Sequence, residues 1–232
     1  MNKTSILIMG GIAVIFIAGI VQFFPSRSIV SPTLPVVTST SNQSDNATTT
    51  GVAATTTVAR APGNPATHPL SLTDGDNIVS WNFKGAYTNN PELTAKAMAE
   101  INRLSSLLAT ATSSAMILSV SIANQYELLG DGKKQYEYLG RAIQASPENG
   151  LPWHNLGVLM ERLGALKTAR IAYEKSTLVQ PEFKFYHYAY IEFLTSRTKN
   201  DVASIEEAFA FAEKNIGTTS YLAELRTAWQ TP

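Results

Sequence analysis

The hydrophobic pattern changes period several times along the chain, and each change predicts a different element. From Ile6 to Phe24 every residue but Gln22 is apolar. A bilayer core is crossed by a helix of about 20 such residues, so residues 1–24 are predicted to form an N-terminal transmembrane helix. A cleaved secretory signal competes for the same stretch, but its apolar core is usually about 7–15 residues long and ends in a small-x-small site. This run is longer, and Phe23-Phe24-Pro25-Ser26 contains no such pair. Residues 25–76 lose the apolar pattern altogether and are rich in Ser, Thr, Pro, Ala and Asn. Such a tract buries too little apolar surface to offset its ordering entropy, and a disordered linker is expected. Between residues 77 and 90, Val79, Trp81, Phe83 and Tyr87 alternate with polar neighbours, which predicts an extended arm with one buried face. No second run offers it a partner strand, so Trp81 and Phe83 are expected to cover the open end of the domain that follows.

From Pro91 onward the period is helical. Leu93, Ala97, Ile101, Leu104 and Leu108 share one face of a helix over Glu92–Leu108, with Pro91 at its tolerated first-turn position. Trp153, Leu156, Gly157, Met160 and Leu163 line one face of a later helix, and Gly164 supplies a residue able to take the left-handed turn that ends it. Ala165, Ala169, Ala172, Tyr173 and Ser176 line the next helix, which Pro181 stops. The two are expected to fold against each other as a hairpin, with Gly157 and Ala169 allowing close approach. Gly130 precedes Gly164 by the same interval at which Pro147 precedes Pro181. The hairpin therefore repeats, over about 116–149, 150–183 and 184–217. A looser copy carries Ile122, Ala123, Tyr126, Leu139 and Ala142, with Gln135 where a small residue is expected. Another carries His187, Tyr190, Ile191 and Leu194, after which roughly five inserted residues are expected before a helix from Ile205 to Ile216. Leu222, Leu225, Ala228 and Trp229 then share one side of a final helix, placed to cap the open end of a stack.

Trp153, Leu156 and Gly157, then Ala169 and Tyr173, then Pro181, with Met160 where a Tyr is usual, resemble the tetratricopeptide repeat. The signature of that repeat runs W-x2-L-G-x2-Y, A-x3-F and P over about 34 residues. The resemblance implies an all-α, TPR-like α-solenoid of antiparallel helix pairs with a terminal capping helix, occupying residues 91–232. It also implies a groove lined by the first helix of each pair. Mapped onto this chain, the lining comprises Ile117, Val120, Asn124, Glu127, His154, Asn155, Val158, Glu161, Arg162, Phe185, Tyr188 and Glu192. That apolar and amide surface suits an extended or helical peptide, unless the arm or the terminal helix fills it. Some relatives clamp an acidic C-terminus with two Asn and several basic residues. Asn124 and Asn155 stand at the Asn positions, but Val120, Phe185 and Ala189 replace the basic ones, so that specificity is not implied.

Composition narrows the partners. The chain has 18 basic and 18 acidic residues, whereas a general nucleic-acid binder needs a basic surface to displace counterions. With no cysteine, disulfides, thiolate metal sites and lipid attachment to cysteine are excluded. The Asn46-Ala47-Thr48 sequon has meaning only in a eukaryotic secretory pathway. Of the three histidines, His68 falls in the linker. His187 takes the core place that Trp153 holds in the preceding repeat and is expected to make a local hydrogen bond. His154 with Glu161 or Glu192 does not match a metal-ligand spacing. No P-loop, nucleophile elbow or dinucleotide fingerprint occurs, so neither an enzyme nor a cofactor is expected. The leading expectation is a membrane-tethered scaffold, its helical domain outside the cytoplasm of a bacterial-type cell, holding a protein or peptide partner in the groove. The alternative is a self-assembling structural envelope protein, motivated by open stack ends and by surface positions expected for Tyr186 and Phe193.

Overall fold

The computed structural model describes residues 68–111 and 113–231, all within one of the two compact units of the chain, Val58–Pro232. The predicted transmembrane helix and most of the predicted linker lie outside the described residues. Among the described residues no helix is long and apolar enough to cross a membrane.

The described chain is all-α. Its helices are α1 (Pro91–Leu108), α2 (Ala115–Leu129), α3 (Gly132–Ala145), α4 (Gly150–Arg162), α5 (Leu166–Val179), α6 (Lys184–Arg197), α7 (Val202–Ile216) and α8 (Ser220–Gln230). Each of the first six packs on the next, and α8 packs on α6. Local chemistry sets the boundaries. Asn90, Asp131, Asn149, Asp201 and Thr219 accept backbone N–H groups at the starts of α1, α3, α4, α7 and α8. Gly130 and Gly164 end α2 and the α4 segment with φ of 79° and 78°. The α6–α7 insertion is smaller than expected. α6 runs on to Arg197, and the N-cap interval from Ala165 to Asp201 is only slightly longer than that from Asp131 to Ala165.

The main core gathers the faces predicted from the period. Leu156, Met160, Ala169, Ala172, Ile191 and Leu194 are fully buried, with Trp153 and Tyr173 nearly so. A Cβ on Gly157 would stand 2.7 Å from the Tyr173 ring, so the missing side chain is what seats that tyrosine. The Trp153 indole N–H donates to the Pro147 carbonyl at 3.0 Å, and one repeat later the His187 Nε2–H donates to the Pro181 carbonyl at 2.7 Å. One hydrogen bond thus recurs in two hairpins with different side chains. A smaller cluster of Ile101, Leu104 and Ile122 joins α1 to α2.

The arm differs most from expectation. It makes a single antiparallel bridge, Asn82 with Asp131, and runs along the α2–α3 corner rather than over an open end. Phe83 N–H donates to Gly130 O, Tyr87 N–H to Leu128 O, and Gly132 N–H to Trp81 O. This backbone-to-backbone approach requires small residues, since a Cβ on Gly130 would lie 2.0 Å from Phe83 O. Trp81 and Phe83 pack on the main core, whereas Val79 is 93% exposed, so the predicted alternation fails at its first member. Residues 68–76, assigned by composition to the linker, belong to the folded unit. His68 stacks on Tyr136 with ring centroids 3.6 Å apart, its Nδ1 2.6 Å from Leu70 O and its Nε2 3.1 Å from Tyr136 O. Asp76 accepts Lys167 N–H, Thr168 N–H and the Thr168 hydroxyl at the start of α5.

Candidate functional site

Helices α2, α4 and α6 each carry exposed or half-buried residues at helical spacing along one face, and side-chain pairs link these faces in series. Glu127, one turn beyond Asn124 on α2, pairs with Arg162, one turn beyond Val158 on α4, at 2.9 Å. Glu161 of α4 pairs with Arg197 of α6 at 2.8 Å, and its other oxygen accepts the Tyr173 hydroxyl at 3.0 Å. From α8, Tyr221 donates its hydroxyl to Glu192 of α6, and Thr219 bonds the Tyr188 hydroxyl at 2.9 Å. The pairs join α2, α4, α6 and α8 into one wall.

The predicted lining residues divide into two sets on this wall. Glu127, Glu161, Arg162, Tyr188 and Glu192 are engaged within the molecule. Arg162 also lies over the Phe83 ring of the arm, 4.7 Å from its centre, and Tyr188 meets the Tyr221 ring edge-on at 4.9 Å. The arm and the terminal helix therefore touch opposite ends of the wall. Asn124, Asn155, Val158 and Phe185 remain. No hydrogen bond ties the Asn124 or Asn155 side chain to the described residues, Val158 is half-buried, and Phe185 is 49% exposed. Ile117 at 54% exposure extends the apolar part, whereas Val120 is buried. The intervals from Ile117 to Leu151 and from Leu151 to Phe185 are equal, so the array presents an apolar side chain at the same place on each of these helices.

His154 behaves differently from the rest of the lining. Its ring lies between those of Tyr173 and Tyr186, with centroids 5.8 and 5.6 Å away, and its buried Nδ1 has no partner. Burial holds its pKa down at about 4, so the imidazole is neutral at neutral pH. Burial, and next the Glu161 carboxylate, push the Tyr173 hydroxyl up. The hydrogen bond to Glu192 raises Tyr221 to about 12. These hydroxyls are donors and not bases.

His154 is not brought to Glu161 or Glu192, the carboxylates weighed with it as metal ligands. Glu161 and Glu192 bond Tyr173, Arg197 and Tyr221, and His154 bonds neither of them. Two shallow clefts, of about 210 and 110 Å³, are lined at Glu182–Phe185 and by Arg170, Glu174, Tyr190, Ser204 and neighbours, away from that trio. Among the described residues no group of three or more His, Asp or Glu could hold a metal ion. Tyr186 and Phe193, expected on the surface, are buried at 6% and 1%, against His154 and Phe183 and against Tyr173 respectively. The self-assembly reading loses the residues that motivated it. Arg197 and Tyr221 are missing from the lining expected from sequence, because both reach the wall from positions outside the repeated signature. No family model, curated protein or solved structure matches this chain.

Proposed function

We propose that the protein is a membrane-tethered scaffold of the tetratricopeptide type. Its N-terminal apolar run anchors it, the linker gives it reach, and the wall of α2, α4 and α6 takes up a segment of another protein. One observation carries the binding part of this reading. Asn124, Asn155, Phe185 and Ile117 are at least partly exposed, and neither amide is bonded, on a wall whose Glu127, Glu161 and Arg162 are already in ion pairs. Side-chain amides without internal partners can read the backbone of a docked segment, and half-exposed apolar groups supply the contact area. The regular spacing of the helices, and the return of the Trp153 hydrogen bond at His187, support the solenoid assignment.

The test is site-specific photo-crosslinking in cells. A benzophenone side chain replacing Asn124 should capture one discrete partner, and Phe185→Ala should reduce the yield several-fold. Equal capture from exposed Ala145 on α3, or capture unaffected by Phe185→Ala, removes this wall from the binding role. Protease treatment of intact cells tests the tether: the reading expects the linker to be cut from outside.

A further inference from the structure

The chain contains a single Asn-Gly pair, Asn149-Gly150, and it stands where α4 begins. In an open chain such a pair is an especially labile place for an asparagine, because glycine has no side chain to keep its backbone nitrogen away from the neighbouring carboxamide carbon. Packing imposes both residues here. Asn149 caps α4, its Oδ1 accepting the Leu151 N–H at 3.0 Å. Gly150 is buried, and a Cβ on it would collide with the Tyr186 ring of α6 and stand 3.0 Å from Ser176 O of α5. A reactive bond therefore lies where α4, α5 and α6 meet, and a residue distant in sequence reaches it. Gln180, at the end of α5, accepts the Gly150 N–H on its Oε1 at 2.7 Å across 30 positions of sequence.

We infer that Asn149-Gly150 is a latent deamidation site, held closed by the side-chain carbonyl of Gln180. The reaction uses the Gly150 nitrogen as nucleophile. That nitrogen bonds to Cγ of Asn149, its proton leaves with the side-chain amide as ammonia, and a cyclic imide forms. Water then adds to either imide carbonyl and opens the ring to aspartate or isoaspartate, with no oxidant or other reactant. The fold opposes the first step at each atom involved. The N–H that must be lost is a donor to Gln180, and the Asn149 carboxamide is tied to Leu151 N–H. The Asn149 backbone is set at φ −91° and ψ 124° by the start of α4, whereas ring closure has to swing the Gly150 nitrogen out of the first helical turn. Attack thus waits on a local opening that breaks the Gln180 bond, and its rate follows the population of the opened state. The two products differ in consequence. Aspartate keeps a capping oxygen at the start of α4, while isoaspartate lengthens the main chain and displaces Gly150 from its seat against Tyr186. Asp131-Gly132, at the start of α3, is built alike but without Gln180, its Gly132 N–H donating to Trp81 O at 2.9 Å.

The experiment incubates the full-length chain in detergent at mildly alkaline pH, beside the same chain unfolded in guanidinium. Peptide mass spectrometry reads the mass gain of amide-to-acid conversion at Asn149 over time. Conversion should be many-fold faster in the unfolded chain than in the folded one. Gln180→Ala should raise the folded rate about five-fold, the extra opening expected from one lost hydrogen bond, and leave the unfolded rate unchanged. Gln180→Glu retains an acceptor oxygen and should convert near the wild-type rate. Isoaspartate at Asp131, resolved by retention time in the same digests, should not change in Gln180→Ala. Equal rates in the folded and unfolded chains overturn the protection. A folded rate unaffected by Gln180→Ala, or raised as much by Gln180→Glu, overturns the role of Gln180. A parallel rise at Asp131 shows that Gln180→Ala loosens the whole domain, and overturns that role as well.

Discussion

His154 shows how a single residue escapes its repeat position. Its neighbour Trp153 fills the core position of the signature and bonds Pro147 O, while His154 sits one step round, packed between two tyrosine rings with Nδ1 unsatisfied. An imidazole there resists protonation. Its folded pKa of about 4 lies below the ordinary value of about 6.5, so the unfolded chain binds the proton more readily. By linkage, the full stability is present above about pH 6.5 and is lost as pH falls toward 4. His154→Phe keeps a flat ring between the tyrosines and should flatten the stability curve in that window, as read by denaturant unfolding at stepped pH. The slope is reduced rather than abolished, because burial also holds His68 and His187 below their ordinary values. An unchanged slope would mean that His154 is protonated as easily in the folded chain as in the unfolded one. Sequence spacing placed His187 in the core correctly, because it stands one repeat after Trp153. It could not place His154, whose surroundings come from Tyr173 and Tyr186 on two other helices.

At the scale of the element, α5 depends on chain far from it in sequence. Asp131 and Asp201 cap α3 and α7 with their own side chains, but the equivalent place at α5 is Ala165, which is fully buried and supplies no cap. A capping carboxylate there would point into the core. Asp76 replaces it from the segment preceding the arm, across 92 positions of sequence to Thr168, and Thr73 N–H donates to the Thr168 hydroxyl at 2.9 Å. Asp76→Ala should therefore destabilise the domain by about 1–2 kcal/mol, the usual range for losing an N-cap. Hydrogen exchange should quicken first at the Lys167 and Thr168 amides, while Asp76→Asn, which keeps an acceptor, should lose much less. Protection of those two amides unaffected by Asp76→Ala would show that α5 does not need this distant cap. Residues 68–76 read as linker because their contacts are one ring stack, one leucine, backbone bonds and a cap, which leave no hydrophobic period to detect.

For the whole domain, the array is closed by unlike ends. At one end α1 rests on α2 through the small cluster around Ile101 and Leu104. At the other, α8 seats Leu222 at 1% exposure, stacks Trp229 on Phe209 at 6.0 Å and anchors Arg226 on Glu206 and Glu213. A stack of repeats exposes apolar surface wherever a neighbour is missing, so the terminal helix protects the last pair. Leu222→Ala should cost about 2–5 kcal/mol as a fully buried leucine, and removal of residues 218–232 should cause concentration-dependent self-association in light scattering. A monomer of constant mass after that truncation would show that α8 is not needed as a cap. Sequence by itself determined the helical character, the paired helices, their boundaries to within a few residues and the core faces. Burial on one side of a helix imprints a helical period on the apolar positions, and stacked hairpins make that imprint return at a fixed interval. Only the tertiary structure decided where the arm lies, what caps α5, and which lining residues stay open. Those outcomes depend on pairs brought together from distant positions, such as Glu161 with Arg197 and Glu192 with Tyr221, and distance along the chain carries no record of them.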